Sequence, residues 1–146
     1  MLIQTAQRRS KVSEMTWDEL DLDSSQWEIP SSRTKNEKPH TVHLSEQAIA
    51  VVADITNIGS FAFTTNGKPP FSGFSKPKKR LDELSKVTGW RLHDIRRTVV
   101  SSMAKLGTAP HVSDKILNPQ SGTIYGLAAV YQRHEFLEER QKELDA

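Results

Sequence analysis

The stretch GWRLHDIRRTVVSSMAKLG, residues 89–107, constrains the fold of this chain more than any other. Its apolar residues recur every three or four positions, which is the spacing of one stripe along a helix. The stripe consists of Leu92, Ile95, Val99, Met103 and Leu106. His93 and Arg96 are three positions apart, so they are neighbours on the same flank of that helix. A solvated edge of a core helix would show the same local pattern, and the rest of the chain has to decide whether these two residues have a chemical role.

Length and composition narrow the class of protein. The chain has 146 residues, of which 26% are charged and 36% hydrophobic, as expected for one folded globular domain. It has no cysteine, which excludes a disulfide framework and a thiol nucleophile. No apolar run approaches the roughly 20 residues of a membrane span, and the first residues do not have the pattern of a signal peptide. We therefore expect a cytoplasmic protein that does not bind membranes.

The charge is unevenly distributed. The net charge is only +2, but residues 68–97 contain nine Lys or Arg and three acids. Residues 135–146 reverse this balance, with five acids and two bases. A basic middle segment suits a polyanion such as DNA, because each phosphate contact needs a cation. An ordinary solvated charge cluster would look the same.

Residue patterns predict a mainly α domain with a small antiparallel β-sheet, an α+β fold. The sequences QWEIP and HTVHL alternate like strands and flank a turn-rich segment, so they predict a β-hairpin whose tip carries Arg33, Lys35 and Lys38. A further short strand is predicted in FAFTTNGKPPF, before a turn at Asn66-Gly67.

Helices are predicted on both sides of this hairpin. Before and just after the hairpin, helices are predicted over the first fifteen residues and over LSEQAIAVVADI, with Ser45 as N-cap. Two more follow, one from about Pro77 to Gly89 and one from there to Gly107. The last two are APHVSDKIL, with Pro110 near its start, and the chain from Thr123 onward. A turn is predicted at NPQSG.

Five polar residues fit phosphoryl transfer to a protein nucleophile. They are Arg8, Lys35, His93, Arg96 and Tyr131. Two arginines neutralise the non-bridging oxygens of a phosphodiester, because each guanidinium is planar, charged and bidentate. The tyrosine supplies the attacking oxygen, the histidine moves its proton, and the lysine protonates the leaving sugar oxygen. We expect neither a metal nor another cofactor, since the chain has no Cys/His spacing or carboxylate cluster typical of metal sites.

The order of these motifs resembles the catalytic domain of tyrosine recombinases, in particular phage-type integrases. TAQRRSKVSEMTWDELDLD resembles the family's first arginine motif, SSRTKNEKPHTVHLS its β-hairpin, LHDIRRTVVSSMAKLG its H-x-x-R motif, and ILNPQSGTIYGLAAVYQRHEF its nucleophile region. The resemblance implies the tyrosine-recombinase catalytic-domain fold. It also implies catalytic roles for Arg8, Lys35, His93 and Arg96, with Tyr131 as the nucleophile.

The resemblance further implies site-specific recombination, either integration or excision, of a prophage or other mobile element in a bacterial host. Double-stranded DNA would be cleaved through a 3′-phosphotyrosyl intermediate. The active assembly would be a homotetramer on paired sites, whereas the isolated chain would be a monomer. The chain's C-terminal segment would pack on its own core or on a neighbouring subunit. Candidate DNA-binding residues are Arg33, Lys38, Lys76, Lys78, Lys79 and Arg97.

Three departures from the family pattern are visible. Pro119 occupies the place of a usual second histidine or tryptophan and cannot donate a hydrogen bond to phosphate. Lys11 stands where an acidic residue commonly follows the first arginine. Residues 1–146 read as a single catalytic domain without the family's N-terminal DNA-clamping domain, so we expect a fragment or a truncated gene.

The departures keep alternative functions open. A catalytically impaired relative would bind DNA without cutting it, and a type IB topoisomerase-like enzyme would use the same chemistry to relax supercoils. In a DNA-free helical protein, all five residues would be structural.

Overall fold

The computed structural model describes residues 1–34, 37–117 and 137–145, which form a helical protein with a small antiparallel sheet. The α-helices are α1 (Leu2–Thr5), α2 (Arg9–Ser13), α3 (Glu46–Ala53), α4 (Ser75–Ser85), α5 (Leu92–Lys105), α6 (Pro110–Leu117) and α7 (Leu137–Asp145). The strands are β1 (Leu20–Asp21), β2 (Gln26–Ile29) and β3 (His40–His43). The predicted fold class is confirmed. No helix within the described ranges is long and apolar enough to cross a membrane.

The sheet contains the predicted hairpin. Its strand order is β1-β2-β3, with Trp27 opposite Val42 and Ile29 opposite His40. Alternate residues of β2 are buried, which is the period-two pattern that the sequence predicted. Strand β1 was not predicted, because two residues of which one is acidic give no periodic signal.

The predicted single helix over the first fifteen residues is wrong. The chain forms α1 and α2, separated by Ala6, whose φ of 52° lies in the left-handed region. A left-handed residue ends a right-handed helix and is unfavourable for a residue with a Cβ. Ala6 is fully buried, so tertiary packing overrides the local helical pattern.

Two further boundaries differ from the prediction. The predicted strand around Phe61 is a single bridge to Thr16, although Gly67 does adopt the positive φ of a turn. Helix α4 ends at Ser85, because Lys86 already has a φ of 59°, and not at Gly89.

The remaining predicted helices are confirmed where the structure describes them. Ser45 caps α3 by accepting a hydrogen bond from the Ala48 amide. Pro110 begins α6, and α7 lies within the helix predicted from residue 123 onward. The turn predicted at 118–122 lies outside the described residues.

Helix α5 forms as predicted, but its apolar stripe is only partly covered. Met103 is buried, whereas Leu106 is 69% exposed, so the prediction of a buried position is wrong for this residue. Leu106 follows the last residue of the helix as its C-cap. The stripe is therefore half-buried at Leu92, Ile95 and Val99, buried at Met103, and exposed only at Leu106, just past the end of α5.

Two apolar clusters hold these elements together. One contains residues of α2, the sheet and α3, including Met15, Trp27 and Val42. The other joins Ala6 to Met103 of α5 and to Ile116 of α6, each at most 4% exposed. The first arginine motif runs from one cluster to the other, which fixes its position.

Glu19 connects the hairpin to this framework. Its carboxylate accepts hydrogen bonds from Trp27 Nε1 at 2.9 Å and from Arg33 Nη1. Arg33 Nη2 also donates to the backbone oxygen of Lys11 at 2.7 Å. The Glu19 side chain is only 9% exposed, so these hydrogen bonds are shielded from water.

We predict that Glu19→Ala lowers the free energy of unfolding by about 2–4 kcal/mol, because it leaves a mostly buried guanidinium and an indole N–H without their acceptor. Urea denaturation measures this loss. Glu14→Ala is the matched control: Glu14 lies 3.9 Å from the Arg33 Nε and is 51% exposed, so its loss should cost at most about 0.5 kcal/mol. Equal losses for the two variants would contradict the role given to Glu19.

Candidate active site

Three of the five predicted catalytic residues line one cavity. Arg8, His93 and Arg96 share a cavity of about 660 Å³ between the first arginine motif, α4 and the start of α5. The cavity wall carries further cations, namely Arg9, Lys78, Lys79 and Arg91. A concave surface with this many positive side chains attracts anions.

Cation–aromatic contacts hold α4 against this cavity. The Arg9 guanidinium lies 4.9 Å from the centre of the Phe74 ring, and the Lys78 ammonium lies 4.8 Å from the Trp90 ring. Lys78 also pairs with Asp82 at 2.5 Å. These contacts position the basic face of α4 at the edge of the cavity.

Arg96 is the most constrained of the three residues. Its Nη1 donates to the backbone oxygen of Ala6 at 2.8 Å and its Nη2 to that of Leu117 at 2.6 Å. A guanidinium has five N–H donors, so three remain for a ligand. Burial, and then the charge of Arg8, lowers the Arg96 pKa to about 10. The side chain is therefore still a cation at neutral pH.

Arg8 and His93 are less restrained. Arg8 is the extended residue that precedes α2 (φ −65°, ψ 144°), and its side chain makes no hydrogen bond or ion pair within the described residues. His93 is exposed in the first turn of α5. Both side chains are thus available to a ligand in the cavity.

The carboxyl end of α6 is tied to the same site. Gln7 Nε2 donates to the backbone oxygen of Ile116 at 2.7 Å, one residue before the Leu117 oxygen that accepts from Arg96. The carboxyl end of α6 is therefore fixed beside Arg8 and Arg96. Lys35, Pro119 and Tyr131 lie outside the described residues, so their roles stay predictions.

Sequence reasoning did not find two buried residues next to this site. Lys11 was identified only as a departure from the family pattern, and its burial, at 7% exposed, was not predicted. Burial, followed by the charges of Arg8, Arg96 and Arg33, lowers the Lys11 pKa to about 8. No sequence signal marked this side chain as buried, because α2 is too short to show a reliable periodicity.

His40 is the second such residue. It lies in β3, is 6% exposed, and its Nε2 has no hydrogen-bond partner among the described residues. Burial, and then the charges of Arg140 and Lys11, lower the His40 pKa to about 3. The neutral His40 ring lies among positive groups, so a positive charge on the ring itself would be unfavourable. Alternation in HTVHL predicted a strand but not which face would be buried.

The candidate DNA-binding cations fall into two groups. Those with exposed side chains are Lys38, Lys76, Lys79 and Arg97. Arg33 and Lys78 are less exposed and pair with Glu19 and Asp82, and exposed Arg97 also pairs with Asp94 at 3.5 Å. DNA contacts by all six residues stay predictions. No group of three or more potential metal-ligating residues occurs within the described part of the chain.

Thr34 closes the base of the hairpin tip. Its hydroxyl lies 3.0 Å from the backbone oxygen of Ser31 and 2.6 Å from that of Lys38, and the residue is 6% exposed. The two ends of the segment that contains Lys35 are therefore held together.

Comparison with known proteins gives consistent results. The model of the phage integrase family matches residues 1–125. The prophage integrase IntA of Escherichia coli (strain K12) is 26% identical over 141 residues, which is 94% of this chain and 34% of that protein. This chain thus spans about a third of that relative's length.

Solved structures show the same fold. The integrase from mycobacterium phage Brujita superimposes with a TM-score of 0.73 at 14% identity, covering 99% of this chain and 48% of the integrase. XerA recombinase superimposes with a TM-score of 0.65 at 17% identity, covering 82% and 47% of the two chains. The predicted recombinase-type fold is confirmed.

We predict that Arg96→Met lowers the free energy of unfolding by about 1.5–3 kcal/mol, because the variant loses charge-assisted hydrogen bonds to two backbone carbonyls. Chemical denaturation measures this loss. Arg97→Met, at the exposed neighbouring position, is the control and should change stability by no more than about 0.5 kcal/mol. If Arg96→Met is as stable as the control, Arg96 does not hold the end of α6.

We also predict acid-sensitive stability from His40. Its folded pKa of about 3 is below the ordinary value of 6.5, so the unfolded chain binds a proton first as pH falls through 6.5. The stabilisation is complete above pH 6.5 and is lost progressively towards pH 3. His40→Gln should reduce this pH dependence in urea denaturation, whereas His93→Gln, at an exposed position, should retain it. An unchanged pH dependence in His40→Gln would exclude His40 as its source.

Proposed function

Because the chain belongs to the phage integrase family, we propose that it is the catalytic domain of a tyrosine recombinase, an enzyme that cleaves and rejoins double-stranded DNA at specific sites. Integration or excision of a prophage or mobile element would be its biological role, in the cytoplasm of a bacterial host. As in the sequence analysis, residues 1–146 are proposed to act as one catalytic domain.

The observation that carries this proposal is the shared cavity of Arg8, His93 and Arg96. These residues come from sequence positions almost ninety apart, yet they face the same space. Arg96 retains three N–H donors after bonding to the protein, and Arg8 has no acidic partner within the described residues. Two such guanidinium groups suit the non-bridging oxygens of one phosphodiester.

The proposed reaction begins with attack by the Tyr131 hydroxyl oxygen on the scissile phosphorus. A bond forms between the tyrosine oxygen and phosphorus, and the bond from phosphorus to the 5′ oxygen breaks. Arg8 and Arg96 stabilise the charge that builds on the non-bridging oxygens. His93 assists the removal of the tyrosine proton, and Lys35 protonates the departing 5′ oxygen. A 5′-hydroxyl of a partner strand then attacks the phosphotyrosyl phosphorus and releases the tyrosine. The phosphotyrosyl ester thus conserves the energy of the DNA phosphodiester bond.

DNA would approach along the basic cavity wall. The proposed DNA-contacting residues are Arg33, Lys38, Lys76, Lys78, Lys79 and Arg97. Lys78 and Lys79 line the cavity itself, while Lys76 lies on the same helix. We further propose a homotetramer on paired sites, with the isolated chain monomeric.

A catalytically impaired DNA-binding relative is the second candidate function. Pro119 supports it, since this residue offers no N–H to the phosphate where the family commonly has histidine or tryptophan. Loss of one hydrogen bond to a charged group, worth about 1.5–3 kcal/mol, would slow cleavage by roughly ten- to a hundredfold.

We predict a covalent protein–DNA adduct that requires Tyr131. The substrate is a nicked duplex made from DNA flanking the gene, in which cleavage releases a short strand and cannot reverse. Tyr131→Phe should abolish the adduct, which migrates slowly on a denaturing gel, and leave DNA affinity nearly unchanged.

Tyr125→Phe is the matched control, because Tyr125 and Tyr131 are the chain's two tyrosines. It should still form the adduct. An adduct that survives in Tyr131→Phe would overturn the assignment of the nucleophile. DNA binding without any adduct would favour the impaired relative, and supercoil relaxation by the monomer would favour a type IB topoisomerase-like enzyme.

A further inference from the structure

The side chain of Lys11 lies in a cluster of positive groups beside the proposed phosphate site. Lys11 is 7% exposed, and the charges of Arg8, Arg96 and Arg33 act on its amine. These neighbours come from the segment before α2, from α5 and from the segment that follows β2. On the side of the sheet, Lys11 acts in turn on buried His40. Four cationic side chains thus converge on one region of the protein.

The acids near this cluster do not neutralise it. Glu14 and Glu19 both pair with Arg33. Neither Lys11 nor Arg8 has a side-chain hydrogen bond or ion pair within the described residues. Burying an ammonium without an anion is unfavourable, so the cluster as described has more positive charge than its own residues compensate.

Among the described residues, the groups on the His40 side of Lys11 do not supply a negative charge either. His40 is kept neutral by its surroundings, which include Arg140 of α7. Arg140 itself is 3% exposed and donates a hydrogen bond to the backbone oxygen of Thr41. The described elements that pack around Lys11 therefore present it with positive or neutral side chains, apart from the two glutamates bound to Arg33.

The anion that would balance this charge is the one proposed to bind at Arg8 and Arg96. We propose that Lys11 supplies a third, titratable positive charge to this phosphate site and takes up a proton when a DNA phosphate binds. Lys11 would not touch the phosphate itself. As a positioning residue, it would add its positive charge to the electrostatic potential that Arg8 and Arg96 create at the phosphate. The inference rests on the proposed function, and it gives a role to a residue that stands where the family commonly has an acid.

Proton uptake is expected because the Lys11 pKa differs between the DNA-free protein and the protein with a bound phosphate. Without an anion, the Lys11 pKa is about 8, so about half of the amines are neutral at pH 8. A bound phosphate adds negative charge nearby and favours the ammonium form. Binding should therefore draw up to about half a proton from solution at pH 8.

Two properties distinguish this role from a structural one. First, DNA affinity should be highest below pH 8 and fall by up to about tenfold per pH unit above it, until the amine of the complex also titrates. Second, the charged amine opposes folding of the DNA-free protein: the folded pKa is below the ordinary 10.5, so stability is lost as pH falls from 10.5 through 8. Lys11→Met should accordingly raise the melting temperature below pH 8 while weakening DNA binding.

The experiment is isothermal titration calorimetry of the whole chain with duplex DNA at pH 8, in two buffers of different ionisation enthalpy. The wild type should take up protons at pH 8, up to about half a proton per complex. Lys11→Met should take up none and bind more weakly at lower pH, by about tenfold. Lys11→Arg keeps the charge at all these pH values, so it should bind without proton uptake and without loss of affinity as pH rises.

Lys105→Met is the matched control, since Lys105 is exposed at the other end of α5, and it should take up protons like the wild type. Proton uptake that persists in Lys11→Met, or its absence in the wild type, would overturn the proposal. A lower melting temperature of Lys11→Met without DNA would show that the amine stabilises the fold and would equally overturn it.

Failure of this inference can be told apart from failure of the proposed function. A chain that binds DNA with Lys11-dependent proton uptake but forms no Tyr131 adduct would retain the inference and lose the enzyme. If the chain binds no DNA, inorganic sulfate serves as the probe, because it is a tetrahedral divalent anion that does not titrate near pH 8. Sulfate should then raise the melting temperature of the wild type more than that of Lys11→Met, and equal increases would overturn the inference.

Discussion

The guanidinium of Arg96 is the group on which the arrangement of this site depends. It bridges the backbone oxygens of Ala6 and Leu117, and so joins the turn before the first arginine, helix α5 and the end of α6. These hydrogen bonds link segments 90 and 21 residues apart in sequence. Because the bridge uses only two of five donors, the same side chain can organise the protein and still bind an anion. A lysine could supply the charge but not this fixed planar geometry.

The bridge also concentrates positive charge. Holding Arg96 next to Arg8 requires two like charges in a partly buried space, and Lys11 adds a third. Burial, and after it this mutual repulsion, lowers the pKa values of Arg96 and Lys11. Such a site is costly in the free protein, which fits a general trend in which functional sites are less stable than the scaffold that carries them. The apolar clusters on either side supply that scaffold.

Much of this could be predicted from the sequence, and what could not has physical causes. Helix α5 has apolar periodicity, and α3 begins after Ser45, a typical N-cap residue; both signals are local properties. The break at Ala6 could not be predicted, because it depends on packing against residues about a hundred positions away. The family resemblance grouped Arg8 with Arg96 as catalytic positions, whereas spacing alone gave His93 and Arg96 only a common helix flank, and the cavity that the three residues share is a result of the structure. The burial of Lys11 is a tertiary property without a sequence signal.

The hydroxyl of Thr34 has a consequence for the entropy of this region. It lies within hydrogen-bond distance of the backbone oxygens of Ser31 and Lys38, so it holds the two ends of the hairpin tip together. The entropy cost of closing this loop is therefore met when the protein folds. For the proton-donor role proposed for Lys35, part of the cost of bringing the amine to the leaving oxygen would thus be met before DNA arrives.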